Sequence, residues 1–464
     1  MLSQNSDRYL EYSMAVPWAG AALNPCNIRW SVDELLYSLD DSESSLLIVD
    51  DAHVGIGREI AARARTLEAV IHASDGETAP GMTSYEALVE GHAPVEDADL
   101  SPDDLAGIFY TGGTTGFPKG VMLSHQNLWS SAMCYLLEGI CPPDAVYLHA
   151  APMFHLADYG VSVALFIRGG THAIVSGFEP EAVVKSLSEY GVTDLLLVPT
   201  MIQMLVDHPA MASLGDALSL RRLVYGASPI SDAVLERAIV ALPNVEFAQV
   251  YGMTELSPLA TFNPFILPRS EDVGTSRMKS AGRPTFSVDM KIVDADGLEA
   301  PRGTAGEVVV RGPNVMLGYW KKPEETKRAL RDGWMHTGDV ARMDPEGYIY
   351  IADRLKDMII TGGENVYSAE VENVVAQHPA VASCAVFGIP SEKWGETVHA
   401  AILLKPGHAA DADDIIAHCR DHIGGFKCPR TVEFRTEFPL SGAGKILKSE
   451  LRKPYWEGKS RSIS

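Results

Sequence analysis

Residues Tyr110–Gly120 read Y-T-G-G-T-T-G-F-P-K-G and gather Gly112, Gly113, Gly116, Gly120, three threonine hydroxyls and one lysine into a single short loop. Glycine lets a backbone approach a polyanion closely, and successive N–H groups form an anion-binding nest. Thr111, Thr114 and Thr115 add hydroxyl donors, Lys119 brings a mobile charge, and Pro118 stiffens the lysine's base. The apolar run Ala106–Phe109 reads as a buried strand, so the loop is expected at a strand end, where ligands sit in open α/β sheets. Together these residues predict a phosphate loop. It is not a Walker A, because Lys119 follows proline, and Gly444–Lys445 is followed by isoleucine with no glycine five residues before Gly444. Kinase, GTPase and ATPase readings lose their support.

Other polar strings follow apolar runs. After Arg222–Val224, residues 225–231 read Y-G-A-S-P-I-S; the turn Gly226, Ala227, Ser228 suits a flat ring, and reads equally as a helix start capped by Ser228 with Pro229 at the first helical position. In Q-V-Y-G-M-T-E (249–255), Tyr251 can stack on a base, Gly252 permits close approach, and Thr254 and Glu255 offer oxygens to a Mg2+ ion bridging phosphates. Taken alone, that string also serves as a polar turn. Asp339 in W-M-H-T-G-D-V (334–340) stands on a glycine turn where a carboxylate can accept two ribose hydroxyls. Arg354 in D-R-L-K-D (353–357) can supply a second donor, and solvated surface is the plain alternative for both. Gly362–Asn365 and Lys393–Glu396 have the composition of hairpin turns. Lys445 in S-G-A-G-K-I-L-K (441–448) lies on a loop type that is ordinarily solvated, and His155 in P-M-F-H-L-A-D-Y-G (152–160) suits a core histidine as well as a catalyst.

In this order and spacing the strings resemble those of the acyl-adenylate-forming, or AMP-binding, superfamily, which includes acyl-CoA synthetases, aryl-CoA ligases, luciferases and peptide-synthetase adenylation domains. Its loop [YF]-T-[SG]-G-T-T-G-x-P-K-G matches 110–120, with Gly112 where many relatives carry serine. Its [YF]-G-x-T-E matches 251–255, T-G-D with D-R-x-K-D matches 337–339 and 353–357, P-[ML]-F-H matches 152–155, and P-x-[ST]-x-x-G-K-x-x-[KR] matches Pro439–Lys448. The resemblance implies ATP phosphates on Thr111, Gly112, Gly113, Thr114, Thr115 and Lys119. It implies adenine beside Gly226, Ala227, Ser228, Gln249, Tyr251, Gly252 and Met253, ribose on Asp339 and Arg354, and Mg2+ on Glu255 with Thr254. Lys445 would stabilise charge developing between acyl carboxylate and α-phosphate. His155 would gate the passage between acyl pocket and coenzyme A tunnel, with Tyr159 lining that pocket. Gly362, Gly363, Trp394 and Gly395 would line the pantetheine path after the small domain turns about Lys356.

The activity so implied is an acyl-CoA synthetase: ATP and a carboxylate give an acyl-adenylate, which coenzyme A then attacks. No basic residue among the pocket strings would neutralise a second carboxylate, so a hydrophobic acid is expected. A medium- or long-chain fatty acid comes first and an aryl acid such as a cinnamate next. The alternatives are an acyl-AMP ligase or an adenylation enzyme loading a carrier protein, and a truncated nucleotide-binding protein without turnover. Arg354–Glu370 carries no insertion of the acyl-AMP-ligase kind, and the presence of Lys445 and Glu255 argues against a dead protein. Asn5–Asp50 resembles a point well inside the family's large domain, so about fifty to sixty residues are expected to be missing, with apolar surface exposed and solubility improved by an upstream extension.

Composition sets the frame. The 464 residues suffice for two or three domains, and 46% apolar with 21% charged residues is ordinary globular composition. A net charge of −23, from 38 basic and 61 acidic residues, argues against nucleic acid or an anionic membrane as partner. Six scattered cysteines without C-x-x-C or zinc spacing fit free thiols in a reducing cytosol. No apolar run reaches the ~18 residues of a membrane span, and Met1–Arg8 has no signal-peptide core, so a soluble cytoplasmic protein is expected. The oligomeric state is left open, a dimer included.

The elements that must position these residues alternate between β-branched runs and amphipathic stretches. Strands are expected at Ser45–Val49, Leu105–Phe109, Thr193–Val198, Arg222–Val224 and Val245–Val250, with helices at Pro180–Tyr190 and Ser231–Ala241. The fold class is α/β: a large N-terminal domain (1–352) of mainly parallel sheets flanked by helices plus a β-rich subdomain, a hinge at 353–357, and a small mobile α+β C-terminal domain (358–464). Gly55-x-Gly57 is read as a turn.

Overall fold

The computed structural model describes residues 1–111, 118–214, 218–273, 275–442 and 444–457. Among the described residues the chain forms five sheets. The largest runs, edge to edge, through Arg283–Pro284, Thr261–Ile266, Glu246–Tyr251, Arg222–Gly226, Asp194–Leu197, Val146–His149 and Thr171–Ile174. The last five of these strands pair in parallel, while Thr261–Ile266 and Arg283–Pro284 are antiparallel additions at one edge. Parallel strands are buried on both faces, and alternation along each strand shows it. Leu195, Leu197, Leu223 and Phe247 pack against Val183, Leu187, Ile202 and Leu235 of the helices on one side. Their neighbours Leu196, Val224 and Ala248 pack against Tyr135, Val161 and Leu165 on the other. The helix Asp232–Ala241 is capped by Ser231, whose side chain accepts from the Val234 N–H. Ser228 is therefore not the cap, and stays in the turn between strand and helix.

The expected strand Leu105–Phe109 is present as Leu105–Thr111, but not in a parallel sheet. It forms an antiparallel hairpin with Lys119–Ser124, and Gly318–Tyr319 adds a third strand. The strands on either side of residues 112–117 thus pair as the two arms of a hairpin rather than lying in a parallel sheet. A separate parallel sheet, Leu46–Asp50, Ala69–Ala73 and Thr83–Ser84, lies near the start of the chain. Gly55 and Gly57 are not in a turn. They belong to the helix Val54–Arg63, where a Cβ at Gly57 would stand 3.0 Å from a Val49 methyl, so the glycine lets helix and strand close up.

From Asp289 to Arg354 the sheet becomes antiparallel, with Asp289–Val293, Ala305–Arg311, Trp334–Met343 and Ile349–Arg354 as its main strands. The chain then turns tightly, the N–H groups of Asp357 and Met358 both donating to the Arg354 carbonyl at 2.9 Å. Beyond it lie the strands Ile359–Thr361, Glu364–Val366, Val381–Ser391, Gly395–Leu404 and Thr431–Arg435, with helices Ser368–Ala376, Ala412–His422 and Lys448–Trp456. Val386, Val398 and Ile402 face Val371, Val375 and Ile415, while Ala385, Phe387 and Ala401 face Leu451 of the last helix. The unit has a core of its own, as a separate domain requires. No helix among the described residues is long and apolar enough to cross a membrane.

Candidate active site

The strand Glu246–Tyr251 runs straight into a one-turn helix Thr254–Leu256, which carries Glu255 into the interior. Gly252 at that junction is required by the chain itself, since a Cβ there would collide with the Pro258 carbonyl. The close approach expected of this glycine is thus first an approach of its own backbone. Glu255 is 7% exposed, and its Oε1 accepts a 2.7 Å hydrogen bond from the Tyr319 hydroxyl. Burial pushes its carboxyl pKa up, opposed by that hydrogen bond and by the cations Arg354 and Lys119. Lys119 begins the hairpin's second strand opposite Thr111, and its Nζ lies 5.1 Å from the centre of the Tyr319 ring. Tyr319 reaches both because its strand pairs with the hairpin, Tyr319 opposite Val121.

The adenine and ribose candidates are joined directly. The Tyr251 hydroxyl donates to Oδ2 of Asp339 at 2.8 Å, and Arg354 lies 3.5 Å from Oδ1 of the same carboxylate. Antiparallel pairing sets Asp339 opposite Arg354. Gly226 faces Val250, whose carbonyl a Cβ would strike, and Ala227 takes a left-handed φ of 68° that turns the chain out of the sheet before Ser228. Gln249 lies between Tyr225 and Asn263 in the sheet, and Met253 packs on the large-domain core.

Lys445 enters this group from the other domain. Burial, then the nearby Arg354, lowers its pKa to about 8, while Asp339 and Glu255 act to raise it. A small-domain lysine therefore sits in the field of both carboxylates. His155, at the cap position of the helix Leu156–Arg168, lies in the field of Lys445 and Arg29 and bonds to the Gly442 backbone of the Lys445 loop. Burial first, then those two cations, lower its pKa to about 3, so the ring is neutral. Tyr159 is buried in the core against Phe109, ring centres 5.8 Å apart.

Gly362, Gly363, Trp394 and Gly395 form a second cluster on the small domain. The Gly362 N–H donates to the Trp394 carbonyl at 2.9 Å, Thr361 pairs with Gly395, and a Cβ on Gly362 would press on the indole. Lys393 and Arg430 flank that indole at 4.7 and 5.0 Å. Lys356 lies in the interdomain turn, its carbonyl accepting from Arg452 at 3.2 Å. Gly112, Gly113, Thr114 and Thr115 lie outside the described residues.

Several residues that position the site were not legible in the sequence. Tyr319 carries no recognisable chemistry in G-Y-W, and only strand pairing brings it to Glu255. Tyr110 donates to Asp41 at 2.7 Å, which anchors the hairpin next to the loop. Lys448 pairs with Glu372 at 2.7 Å and donates to the Ser368 hydroxyl at 2.7 Å. Its match to the family string therefore carries a structural ion pair.

The donor set suits magnesium. A buried carboxylate and a threonine oxygen are hard ligands, and Mg2+ is commonly held by one or two carboxylates plus substrate phosphates. Among the described residues no group of three or more His, Cys, Asp or Glu is arranged to hold a metal. Glu255 and Thr254 would hold the magnesium ion, and it would neutralise phosphate charge.

Glu255 and Tyr251 at a strand end, Asp339 beside Arg354, and a lysine from the C-terminal unit form one cluster of the kind a nucleotide-dependent ligase needs. The chain belongs to the AMP-binding enzyme family, in its acyl-CoA synthetase branch. The family model "AMP-binding enzyme" matches residues 1–320, and "AMP-binding enzyme C-terminal domain" matches 370–445. The chain is 39% identical over 457 residues to a feruloyl-CoA synthase of Amycolatopsis sp, covering 98% of this chain and 88% of the relative. It is 36% identical over 455 residues to the medium/long-chain-fatty-acid–CoA ligase FadD8 of Mycobacterium tuberculosis, covering 95% and 78%. Among solved structures, ATP-bound MatB from Rhodopseudomonas palustris superposes with a TM-score of 0.85 at 30% identity, over 98% of this chain and 88% of that one. Apo MatB superposes over the same shares with 0.74. Ligases of this kind use ATP, Mg2+ and coenzyme A.

Proposed function

We propose that this chain joins a hydrophobic monocarboxylic acid to coenzyme A through an acyl-adenylate. The observation that carries the reading is Lys445 of the small domain, placed in the field of Glu255 and Asp339 of the large one. In the first half-reaction a carboxylate oxygen attacks the α-phosphorus of ATP, and the bond to pyrophosphate breaks. Charge builds on the oxygens about phosphorus, where Lys445 is placed to offset it. Glu255 and Thr254 would hold a magnesium ion, which would neutralise phosphate charge, while Asp339 and Arg354 would hold the ribose. The better superposition on ATP-bound MatB than on its apo form supports this arrangement as the adenylate-forming one.

In the second half-reaction the coenzyme A sulfur attacks the acyl carbon and AMP leaves. The Gly362–Trp394 cluster is on the small domain, so it reaches the acyl carbon by rotation about the turn at 353–357, which divides a large domain 1–352 from a small one 358–464. The acid is a fatty acid or a hydroxycinnamate, one supported by the name of each relative above. The test is AMP and pyrophosphate release with Mg-ATP, using octanoate, palmitate and ferulate with and without coenzyme A. Turnover needing an acid and coenzyme A, and lost in Lys445→Ala, is expected. Pyrophosphate exchange without thioester would move the reading to a carrier-protein acceptor.

A further inference from the structure

We infer that Arg29, Asn27 and Thr200 form a seat on the large domain that holds the Lys445 loop in place for adenylate formation and plays no part in thioester formation. The inference rests on the two-step reading above and goes beyond it by assigning positioning residues to one step only.

The loop 439–447 is closed on itself. The Ser441 N–H donates to the Lys445 carbonyl at 2.7 Å, the Lys445 N–H to Oγ of Ser441 at 3.0 Å, and the Leu447 N–H to the Pro439 carbonyl at 2.8 Å. A closed loop holds its own shape but does not fix where Lys445 points relative to the other domain. Two of its carbonyls are taken by the large domain. Arg29 Nη1 donates to the Ser441 carbonyl at 3.0 Å, and the Thr200 hydroxyl to the Gly444 carbonyl at 3.0 Å. These contacts come from sequence positions far apart and hold the loop at two points just before Lys445.

The fit is steric as well. Gly442 abuts Asn27 so closely that a side chain there would strike the Asn27 amide, and Asn27 is itself pinned by accepting the Arg29 N–H at 3.0 Å. Gly444 has a left-handed φ of 76°, and a Cβ on it would stand 3.2 Å from the Thr200 hydroxyl. Neither Arg29 nor Thr200 is bonded to Glu255, Asp339 or Arg354 in the contacts above, so the pair acts through the loop. Rotation of the small domain carries the loop away and breaks both hydrogen bonds. A contact made in only one of two conformers shifts the balance toward that conformer and toward the step it supports.

The test uses the full chain with Thr200→Val, Arg29→Gln and the conservative Thr200→Ser. Two rates are read separately: acid-dependent pyrophosphate exchange with octanoate, palmitate and ferulate, and thioester formation from the corresponding synthetic acyl-adenylates with coenzyme A. One hydrogen bond of ordinary strength corresponds to about a threefold to tenfold loss of the exchange rate for Thr200→Val and for Arg29→Gln. The thioester rate and melting temperature should hold, and Thr200→Ser should restore exchange. Equal losses in both half-reactions, or no loss in either, would overturn the seat while leaving the proposed function intact. Failure of the wild-type chain in both half-reactions would instead remove the proposed function, and the seat with it.

Discussion

The Tyr319 hydroxyl donates to Oε1 of the buried Glu255 at 2.7 Å. The same ring lies beside the Lys119 ammonium, so one tyrosine links that cation to the Glu255 carboxylate, the proposed magnesium ligand. Tyr319→Phe removes the donor but keeps the ring. Glu255 then loses its fixed orientation, and half-saturating Mg2+ is expected to rise by about tenfold to a hundredfold, the worth of one hydrogen bond to a charged group. Initial rates against Mg2+ at fixed ATP check this. An unchanged Mg2+ dependence would deny Tyr319 any part in orienting Glu255.

The pKa of Lys445, lowered to about 8 by burial and by Arg354, gives a pH dependence with a definite sign. The lysine acts as a cation, so it is competent below that pKa and loses its proton as pH rises through it. kcat/KM for ATP should therefore fall on the basic side with a midpoint near 8, and Lys445→Arg should remove that limb because arginine stays protonated. The neutral His155, its pKa lowered to about 3, should add no acidic limb between pH 5 and 7. A basic limb that persists in Lys445→Arg would assign it to another group.

Asp339 takes a hydrogen bond from Tyr251 and lies beside Arg354. Asp339→Asn keeps an acceptor for Tyr251 but lowers its charge, so KM for ATP should rise about tenfold, or about 1.4 kcal/mol, with little change in melting temperature. Asp339→Ala removes one of the part-buried Tyr251 hydroxyl's two partners, the other being Thr337, and should also lower stability by about 0.5–1.5 kcal/mol. Nucleotide titration calorimetry and thermal melting separate the two effects.

Lys448 and Glu372 form a pair shielded within the small domain, 2.7 Å apart. Burial and that contact act oppositely on Glu372, whose pKa is pushed up, while Lys448 is held charged by Glu372 and Asp353. Lys448→Met strands the carboxylate and should cost about 3–5 kcal/mol, whereas Lys448→Met with Glu372→Leu should recover most of it. Denaturant unfolding of the two variants decides the point.

Much of this was legible in the chain. Periodicity located the central strands because each is buried on both faces, and its runs of Leu and Val are long enough to read. Asp339 and Arg354, singled out from two short strings, are set opposite one another by antiparallel pairing. The parallel setting expected for Leu105–Phe109 was wrong. An apolar run records burial, not the direction of its neighbour, and here the neighbour is the returning arm of a hairpin. The turn at Gly55-x-Gly57 failed for a similar reason: the glycines answer to Val49 across the helix–strand contact, not to a local bend.

Local chemistry along the chain thus determined which residues could meet a nucleotide, because loop glycines, hydroxyls and the lysines beside them need only short-range spacing to be recognised. Which of them meet, and in which step, was decided in three dimensions. Tyr319 reaches Glu255 through a strand pairing made nearly two hundred positions after the hairpin, and Lys445 is aimed by Arg29 and Thr200 from another domain. Hydrogen bonds to backbone carbonyls are blind to the side chain that carries them, so no residue type in the sequence marks where they fall.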